Sequence, residues 1–188
     1  MGRCSTITGL EPAAIDTVLF THLHGDHVGW NIVDREPVFT RARHLVPEQD
    51  WRYFGDPAHV DRFPHFAQQV APLEEHGMLE RTLGEEVVAP GVRLLPTPGH
   101  TPGHQSLLLE SRGERAMLIG DVAHHPAQVQ ETAWGPRFDE DSVVAASTRQ
   151  RVMERLEAED SLVIAGHFPA PGFGRIVRLE GRRVFRTL

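Results

Sequence analysis

Short apolar runs separated by turn residues predict a chain that mixes strands and helices. Residues 15–21 (IDTVLFT) form an apolar run with β-branched side chains, which is typical of a buried strand. Four further strand patterns crowd together at 85–89, 92–97, 105–110 and 115–119, and turn residues rich in glycine and proline separate them. The pattern therefore favours the α/β class.

The stretch between the first strand and this group predicts shorter elements. Residues 38–46 predict a strand that ends at Pro47, and a proline at this point can open a short helix. Residues 56–80 have a helical pattern that three prolines interrupt, so we expect short helices there. The aromatic residues of this region are expected to form a local core, namely Phe54, Phe63 and Phe66.

The last third of the chain predicts one long helix and a hairpin. Residues 139–157 have the strongest helical pattern, which Asp141 or Ser142 can cap. One face of this helix would carry Val144, Ser147, Val152 and Leu156. Residues 175–180 and 183–188 predict a closing hairpin.

Composition and charge narrow the class of protein. A length of 188 residues favours one domain over 1–188, and 40% hydrophobic with 24% charged residues is ordinary for a globular protein. The net charge of -7 argues against nucleic-acid or anionic-membrane partners, and no apolar stretch approaches the ~18 residues of a membrane span. The lone cysteine, Cys4, cannot form an internal disulfide, which fits a cytoplasmic location. No lysine is present, so Schiff-base chemistry is excluded.

The segment 21–27 (THLHGDH) carries the strongest chemical signal. In an extended backbone, residues two apart point the same way, so His22 and His24 can bind one ion together. The glycine that follows lets the chain turn, after which Asp26 and His27 can face a second ion. Imidazole and carboxylate are ligands that suit zinc-type divalent metals. The segment therefore predicts a metal site.

Three later positions repeat one arrangement, in which an apolar strand ends at a polar residue. His100 stands in the TPGHTPGH loop, whose prolines and glycines stiffen the backbone. Asp121 follows the strand pattern MLIG, and His167 follows VIAG. Each has an ordinary explanation by itself, as a capping aspartate or an interior histidine. Together with the first motif, in one small chain, they indicate a shared metal site.

The order HxHxDH, then GH in the TPGHTPGH loop, then GD, then GH resembles the metallo-β-lactamase-fold hydrolases over nearly the whole chain. This resemblance implies an α/β fold, the metallo-β-lactamase-like αββα sandwich. Residues 120–128 and 166–169 resemble the lactonase and organophosphate-hydrolase branch of that family.

The resemblance also implies a dinuclear centre. Two divalent ions per chain are expected, with zinc favoured and manganese, iron or cobalt as alternatives. One ion would be held by His22, His24 and His100, and the other by Asp26, His27 and His167. Asp121 would bridge them, and a hydroxide between the ions would be the nucleophile. Asp26 and Asp121 are the expected catalytic residues, since Asp26 could carry a proton to the leaving group.

Several further residues are candidates for the substrate pocket: Trp30, Trp51, Tyr53, His124 and Phe168. Plain core packing is the alternative for the tryptophans. His104 belongs to the same loop as His100, but the family's ligand is the earlier histidine. A structural role is therefore expected for His104.

The expected function is metal-dependent hydrolysis of lactones such as acyl-homoserine lactones, or of related esters. Organophosphate triesters and thioesters are rival substrates. A catalytically impaired metal-binding fragment that acts as a binding module, or a structural metal protein, are alternatives of another class. Several quorum-quenching lactonases carry a tyrosine three residues after the bridging aspartate, where this chain has His124.

The resemblance departs from the family at the N-terminus. Most members carry a strand-rich segment before the HxHxDH strand, whereas only about 14 residues precede residue 15 here. A truncated fragment, a natural minimal version and a homodimer that covers the exposed sheet each explain this difference. We favour an N-terminally shortened chain that self-associates.

Overall fold

The protein is described by a computed structural model that covers residues 9–188. Cys4 lies outside the described residues. The chain divides into two compact units, Met1–Thr82 and Leu83–Leu188. Each unit is built from both helices and strands, as the sequence predicts. The single domain over 1–188 stays a prediction.

The N-terminal unit contains short elements. In chain order they are a 3-10 helix (Pro12–Ala14), β1 (Thr17–Leu19), α1 (Gly25–Val28), β2 (Ile32–Val33), β3 (Glu36–Pro37), β4 (Arg43–Pro47), α2 (Glu48–Gly55), α3 (Pro64–Gln69), α4 (Ala71–Glu75) and β5 (Leu79–Thr82). A parallel sheet has the order β1-β4-β5, and β2 pairs with β3. The expected break-up of 56–80 into short helices is confirmed, whereas β5 was not expected from the sequence.

Aromatic side chains form the core of this unit, as predicted. Phe54 is fully buried, and Phe63 and Phe66 are nearly so. They belong to a cluster that also contains Phe20, Leu23, Val28, Ile32, Val46, Val70 and Leu73. The core therefore packs directly beneath the segment that carries the histidine motif.

A buried histidine lies in the same unit outside the predicted site. His44 on β4 has no exposed surface, and its ring lies 6.2 Å from that of Phe20 and 6.4 Å from that of Phe39. Burial lowers the pKa of His44 below 6.5, and the nearby backbone groups of Met78 and Ala42 offset this only in part. His44 is therefore neutral in the folded protein.

We expect the substitution His44→Leu to reduce the acid sensitivity of the fold. Because the pKa of His44 is lower in the folded state, the unfolded chain takes up a proton first as the pH falls below 6.5. Stability then falls by up to about 1.4 kcal/mol per pH unit until the folded-state pKa is reached. Urea unfolding at about pH 7.5 and pH 5.5 measures this loss, with the exposed His76→Leu as control. An equal loss in wild-type and His44→Leu protein would contradict it.

The C-terminal unit is dominated by one sheet. Its elements are β6 (Glu86–Ala89), β7 (Val92–Pro96), β8 (Gln105–Ser111), β9 (Glu114–Leu118), two 3-10 helices (Gly120–Val122 and Pro126–Val129), α5 (Ser142–Ala158), β10 (Leu162–Ile164), β11 (Phe173–Leu179) and β12 (Arg182–Thr187). The strand order is β12-β11-β10-β9-β8-β7-β6. Only β9 and β10 are parallel, and α5 lies in the connection between them.

The helix α5 packs on this sheet with a face that matches the predicted one in part, since Val152 and Leu156 are buried. Asp141 caps it by accepting the N–H groups of Val143 and Val144. Val144 and Ser147 are exposed, so the prediction was wrong for these two residues. The buried face consists of Ala145, Thr148, Arg149, Val152, Met153 and Leu156. The apolar pattern missed part of the face because an arginine and a threonine occupy two of its positions.

No helix among residues 9–188 is long and apolar enough to cross a membrane.

Candidate metal centre

The N-terminal cluster consists of His22, His24, Asp26 and His27. The motif leaves β1, passes through an extended segment and enters α1, with His24 at the N-cap position. The ligating atoms of His22 lie within 4.8 Å of those of His24 and His27. Nε2 of His27 lies 3.6 Å from Oδ2 of Asp26, whose side chain is 62% exposed. The structure thus gathers all four predicted ligands of this motif.

Two groups far along the chain hold the backbone of this motif. Leu23 is fully buried, and its N–H donates to Oδ2 of Asp50 at 3.1 Å. Its carbonyl oxygen accepts from Nε2 of His65 at 2.8 Å. Asp50 and His65 therefore fix the peptide groups between His22 and His24. Neither residue was expected from the sequence, because Asp50 resembles an ordinary first-turn helix acid and His65 has no motif around it.

The C-terminal cluster consists of His100, Asp121, His124 and His167. The strands β7, β9 and β10 run in the same direction, because β8 is antiparallel to both β7 and β9, and β9 is parallel to β10. Their carboxyl ends therefore meet at one edge of the sheet. His100, Asp121 and His167 each follow one of these ends.

The carboxylate of Asp121 is the centre of this cluster. Asp121 is only 3% exposed. Its Oδ2 lies 3.3 Å from Nε2 of His100, 3.0 Å from Nε2 of His124 and 3.3 Å from Nε2 of His167. The ligating atoms of His100, Asp121 and His124 all lie within 4.8 Å of one another. Three imidazoles around one buried carboxylate are a donor set that suits a divalent cation.

A second carboxylate orients the ring of His100. Nδ1 of His100 lies 2.9 Å from Oδ1 of Asp139, so Nε2 is the nitrogen that faces Asp121. Burial opposes charge on His100, but hydrogen bonds and Coulomb attraction from Asp121 and Asp139 outweigh it and raise its pKa to about 9. Asp139 was not expected as a site residue, because it stands in the acidic run before α5, which is typical of a helix start.

His104 supports the cluster without joining it. Its Nδ1 lies 2.8 Å from the hydroxyl of Thr97, and its Nε2 accepts the backbone N–H of Asp121 at 3.0 Å. Both ring nitrogens therefore bind groups of the protein. This arrangement agrees with the structural role expected for His104.

His124 was predicted as a pocket residue and lies within the cluster itself. Its ring stacks on that of His167 at 5.1 Å between centroids. Its backbone N–H donates to Oε1 of Gln128, whose amide in turn donates to the carbonyl of Trp134. Gln128 is thus a further buried residue that holds the segment after Asp121 in place.

The other pocket candidates lie in varied surroundings. Trp30 is 73% exposed, while Trp51 is half-buried, with its ring 5.0 Å from that of Phe66. Tyr53 is half-buried against Phe54 and Phe63. Phe168 is buried in the core of the C-terminal unit, where its ring contacts that of Phe185. Trp51 and Phe168 thus pack in the core, and all pocket assignments stay predictions.

The pKa of His100 leads to a test of metal binding. A histidine must be neutral to bind a metal, so an ion that binds His100 displaces a proton at any pH below about 9. We expect proton release on zinc binding, and an affinity that rises up to tenfold per pH unit between pH 7 and 8.5. Calorimetric titration of the metal-free protein in two buffers counts the protons. An affinity that does not change over this range would contradict the expectation.

The same shift predicts how the metal-free protein responds to pH. The pKa of His100 is raised above its unfolded value of 6.5, so protonated His100 contributes to the free energy of unfolding. This contribution is complete below pH 6.5 and is lost as the pH rises through about 9.

Comparison with known proteins shows the family to which the chain belongs. The Metallo-beta-lactamase superfamily model matches residues 5–167. An N-acyl homoserine lactonase from a Bacillus species is 30% identical over 161 residues, which are 85% of this chain and 58% of that protein. The lactonase AttM of Rhizobium radiobacter is 28% identical over 86% of this chain and 61% of its own length. The chain thus spans about three fifths of these curated relatives.

Solved structures have the same fold. A hydrolase of the beta lactamase superfamily, AbOPH, matches with a TM-score of 0.88 and 26% identity, over 98% of this chain and 68% of that chain. An N-acyl homoserine lactone hydrolase with N-hexanoyl-L-homoserine bound at its catalytic metal center matches with a TM-score of 0.68 and 26% identity, over 87% and 60%. The predicted metallo-β-lactamase-like α/β fold is therefore confirmed, and the chain belongs to the metallo-beta-lactamase superfamily.

Proposed function

We propose that this protein is a hydrolase that binds two divalent metal ions and opens the ester bond of lactones, in particular N-acyl homoserine lactones. The observation that carries the proposal is the buried carboxylate of Asp121, with three imidazole nitrogens within 3.3 Å of its Oδ2. The HxHxDH motif supplies a second group of donors in the N-terminal unit. Both groups consist of imidazole and carboxylate, the ligands that catalytic zinc sites use.

The seven residues expected from the sequence are the proposed ligands. His22, His24 and His100 would hold one ion, Asp26, His27 and His167 the other, and Asp121 both. The bound ions would lower the pKa of water to supply a nucleophile at neutral pH and would polarise the scissile carbonyl. Zinc is the proposed metal, on the chemistry of these donors.

Other residues of the clusters prepare the site for this chemistry. Asp139 turns Nε2 of His100 towards Asp121, and the Asp50–Leu23–His65 contacts hold the first motif. Asp26 has the exposed carboxylate that could pass a proton to the leaving alcohol.

The choice of lactones is supported by the relatives. The curated relatives with 28–30% identity are N-acyl homoserine lactonases, and one solved structure at 26% identity holds the product of such a lactone at its metal center. His124 stands where several lactonases carry a tyrosine, so phosphotriesters and thioesters are the substrates to compare. A homodimer and a cytoplasmic location stay predictions from the sequence.

Metal content and a substrate panel, measured on the same preparation, test the proposal. We expect about two ions per chain by elemental analysis, and turnover of N-hexanoyl-homoserine lactone above that of a phosphotriester, a thioester and an aryl ester. Two ions with no turnover on any substrate would instead support the binding-module alternative. Fewer than one ion per chain would contradict the metal centre. The exposed His76→Ala variant is the matched control for loss of an imidazole, and it should keep both ions.

A further inference from the structure

Arg149 on α5 is a fully buried cation in the C-terminal unit. Arginine is almost never fully buried unless it is paired, because removal of its charge from water is costly. Its Nε donates to the carbonyl of Val122 at 2.6 Å, and its Nη1 donates to the carbonyls of Thr132 and Trp134 at 2.9 and 2.8 Å. Its Nη2 donates to Oδ2 of Asp139 at 3.1 Å. One guanidinium therefore holds four acceptors from three segments.

Two of these acceptors lead directly to the C-terminal cluster. Asp139 binds Arg149 through Oδ2 and His100 through Oδ1, so the carboxylate lies between the two side chains. The side chain of Asp139 is only 1% exposed, which shields this chain of contacts from water. Val122, the other acceptor, is the residue after Asp121. Arg149 therefore contacts both Asp139, which binds His100, and the residue that follows Asp121.

The loop that carries His100 is fixed to the same region by its backbone. The N–H of Glu140 donates to the carbonyl of His100, and the N–H of Asp141 donates to that of Gly99. Gly99 has φ +129, and a Cβ there would lie 2.3 Å from the backbone nitrogen of Ala145. These contacts hold the loop against α5. These backbone contacts do not fix the rotation of the His100 ring, which Asp139 and Asp121 contact through its two nitrogens.

The planar guanidinium of an arginine can hold Asp139 and three carbonyls in place, which a lysine could not do as well. Arginine can bind a carboxylate and several carbonyls in fixed directions, whereas the ammonium of lysine is a point charge on a flexible stem. A carboxylate behind a metal-binding imidazole fixes the tautomer and orientation of the ring. Asp139, which contacts Nδ1, therefore helps to direct Nε2 of His100 towards Asp121.

We propose that Arg149 is a positioning residue that sets the metal affinity of the site. It acts through Asp139 on the ring of His100, and through the Val122 carbonyl on the segment that carries Asp121. The inference rests on the proposed function, because His100 and Asp121 are proposed metal ligands. A purely structural Arg149 would affect stability alone. The two roles differ in their effect on metal affinity and on the His100 ring.

Cobalt binding to the purified, metal-free full chain, measured by chelator competition, is the first readout. We expect Arg149→Lys and Asp139→Asn to weaken Co²⁺ binding by about 10- to 100-fold, which is typical for loss of a group behind a metal ligand. Arg155→Lys is the matched control, since Arg155 lies on the same helix and pairs with Glu159 near the surface. Its affinity should equal that of wild type.

Imidazole NMR of the metal-free protein is the second readout. The Nδ1–H of His100 donates to a buried carboxylate, so a low-field proton resonance is expected in wild type. It should be absent in Asp139→Asn and shifted in Arg149→Lys. Substitution His100→Gln assigns it.

The outcomes separate this inference from the proposed function. Folded Arg149→Lys and Asp139→Asn variants with wild-type cobalt affinity would overturn the inference, even if their unfolding midpoints fell. If wild type binds no cobalt, the proposed metal centre is wrong. The His100 resonance then decides the positioning role alone: an unshifted resonance in Arg149→Lys overturns it, and a shifted one supports it.

Discussion

Replacing Asp121 by alanine is expected to remove both metal binding and catalysis. Asp121 is buried, and its Oδ2 faces nitrogens of His100, His124 and His167, so the variant would leave three imidazoles without their shared anion. On the proposed mechanism, water would have no route to a nucleophile at neutral pH without ions held in place. We expect kcat/KM on N-hexanoyl-homoserine lactone to fall by at least about 10³-fold, and metal content to fall below about one ion per chain.

Two comparisons make this result specific to Asp121. Asp121→Asn keeps the shape of the side chain but not its charge, so it should also lose metal while its fold stays closer to that of wild type. Asp61→Ala removes an exposed carboxylate and should leave metal content and turnover unchanged. An Asp121→Ala protein that retained two ions and full turnover would refute the proposed bridging role.

The substitution Phe54→Ala is expected to have the largest effect on stability. Phe54 is fully buried, and its ring lies 4.5 Å from that of Phe63 and 5.5 Å from that of His24. Loss of a buried phenyl ring removes its transfer free energy and leaves a cavity, which together cost about 3–5 kcal/mol. Because Phe54 packs edge-on against His24, the variant should also bind metal more weakly.

Urea unfolding measures the first effect, and chelator competition measures the second. Trp30→Ala is the control for loss of a large aromatic residue, since Trp30 is 73% exposed and its loss should change stability by no more than about 0.5 kcal/mol. A loss of less than about 1 kcal/mol in Phe54→Ala would contradict the role of Phe54 in the core.

Much of the fold could be predicted from the sequence because its patterns are local. The strand patterns near residues 92–97 and 105–110 follow apolar runs between turn residues, and the structure has β7 and β8 there. β5 was not expected, because LERT has no strong strand pattern and forms only by pairing with β4. Part of the buried face of α5 was missed because a buried arginine resembles a surface residue until its partners are known.

The candidate site was predictable to different depths. His100, Asp121 and His167 each follow a strand, and the parallel course of β7, β9 and β10 brings them to one edge. Asp139 and Arg149 could not be found in this way, because neither belongs to a motif. Their roles depend on distances to His100 and Val122.

The sequence by itself determined the kind of chemistry, since the order and identity of the imidazole and carboxylate residues are local facts that short motifs record. Only the tertiary structure decided which groups hold those donors. Asp50, His65, Asp139 and Arg149 are 10–42 residues away from the groups they contact. Hydrogen bonds and burial at such separations arise from packing, and no pattern of neighbouring residues encodes them.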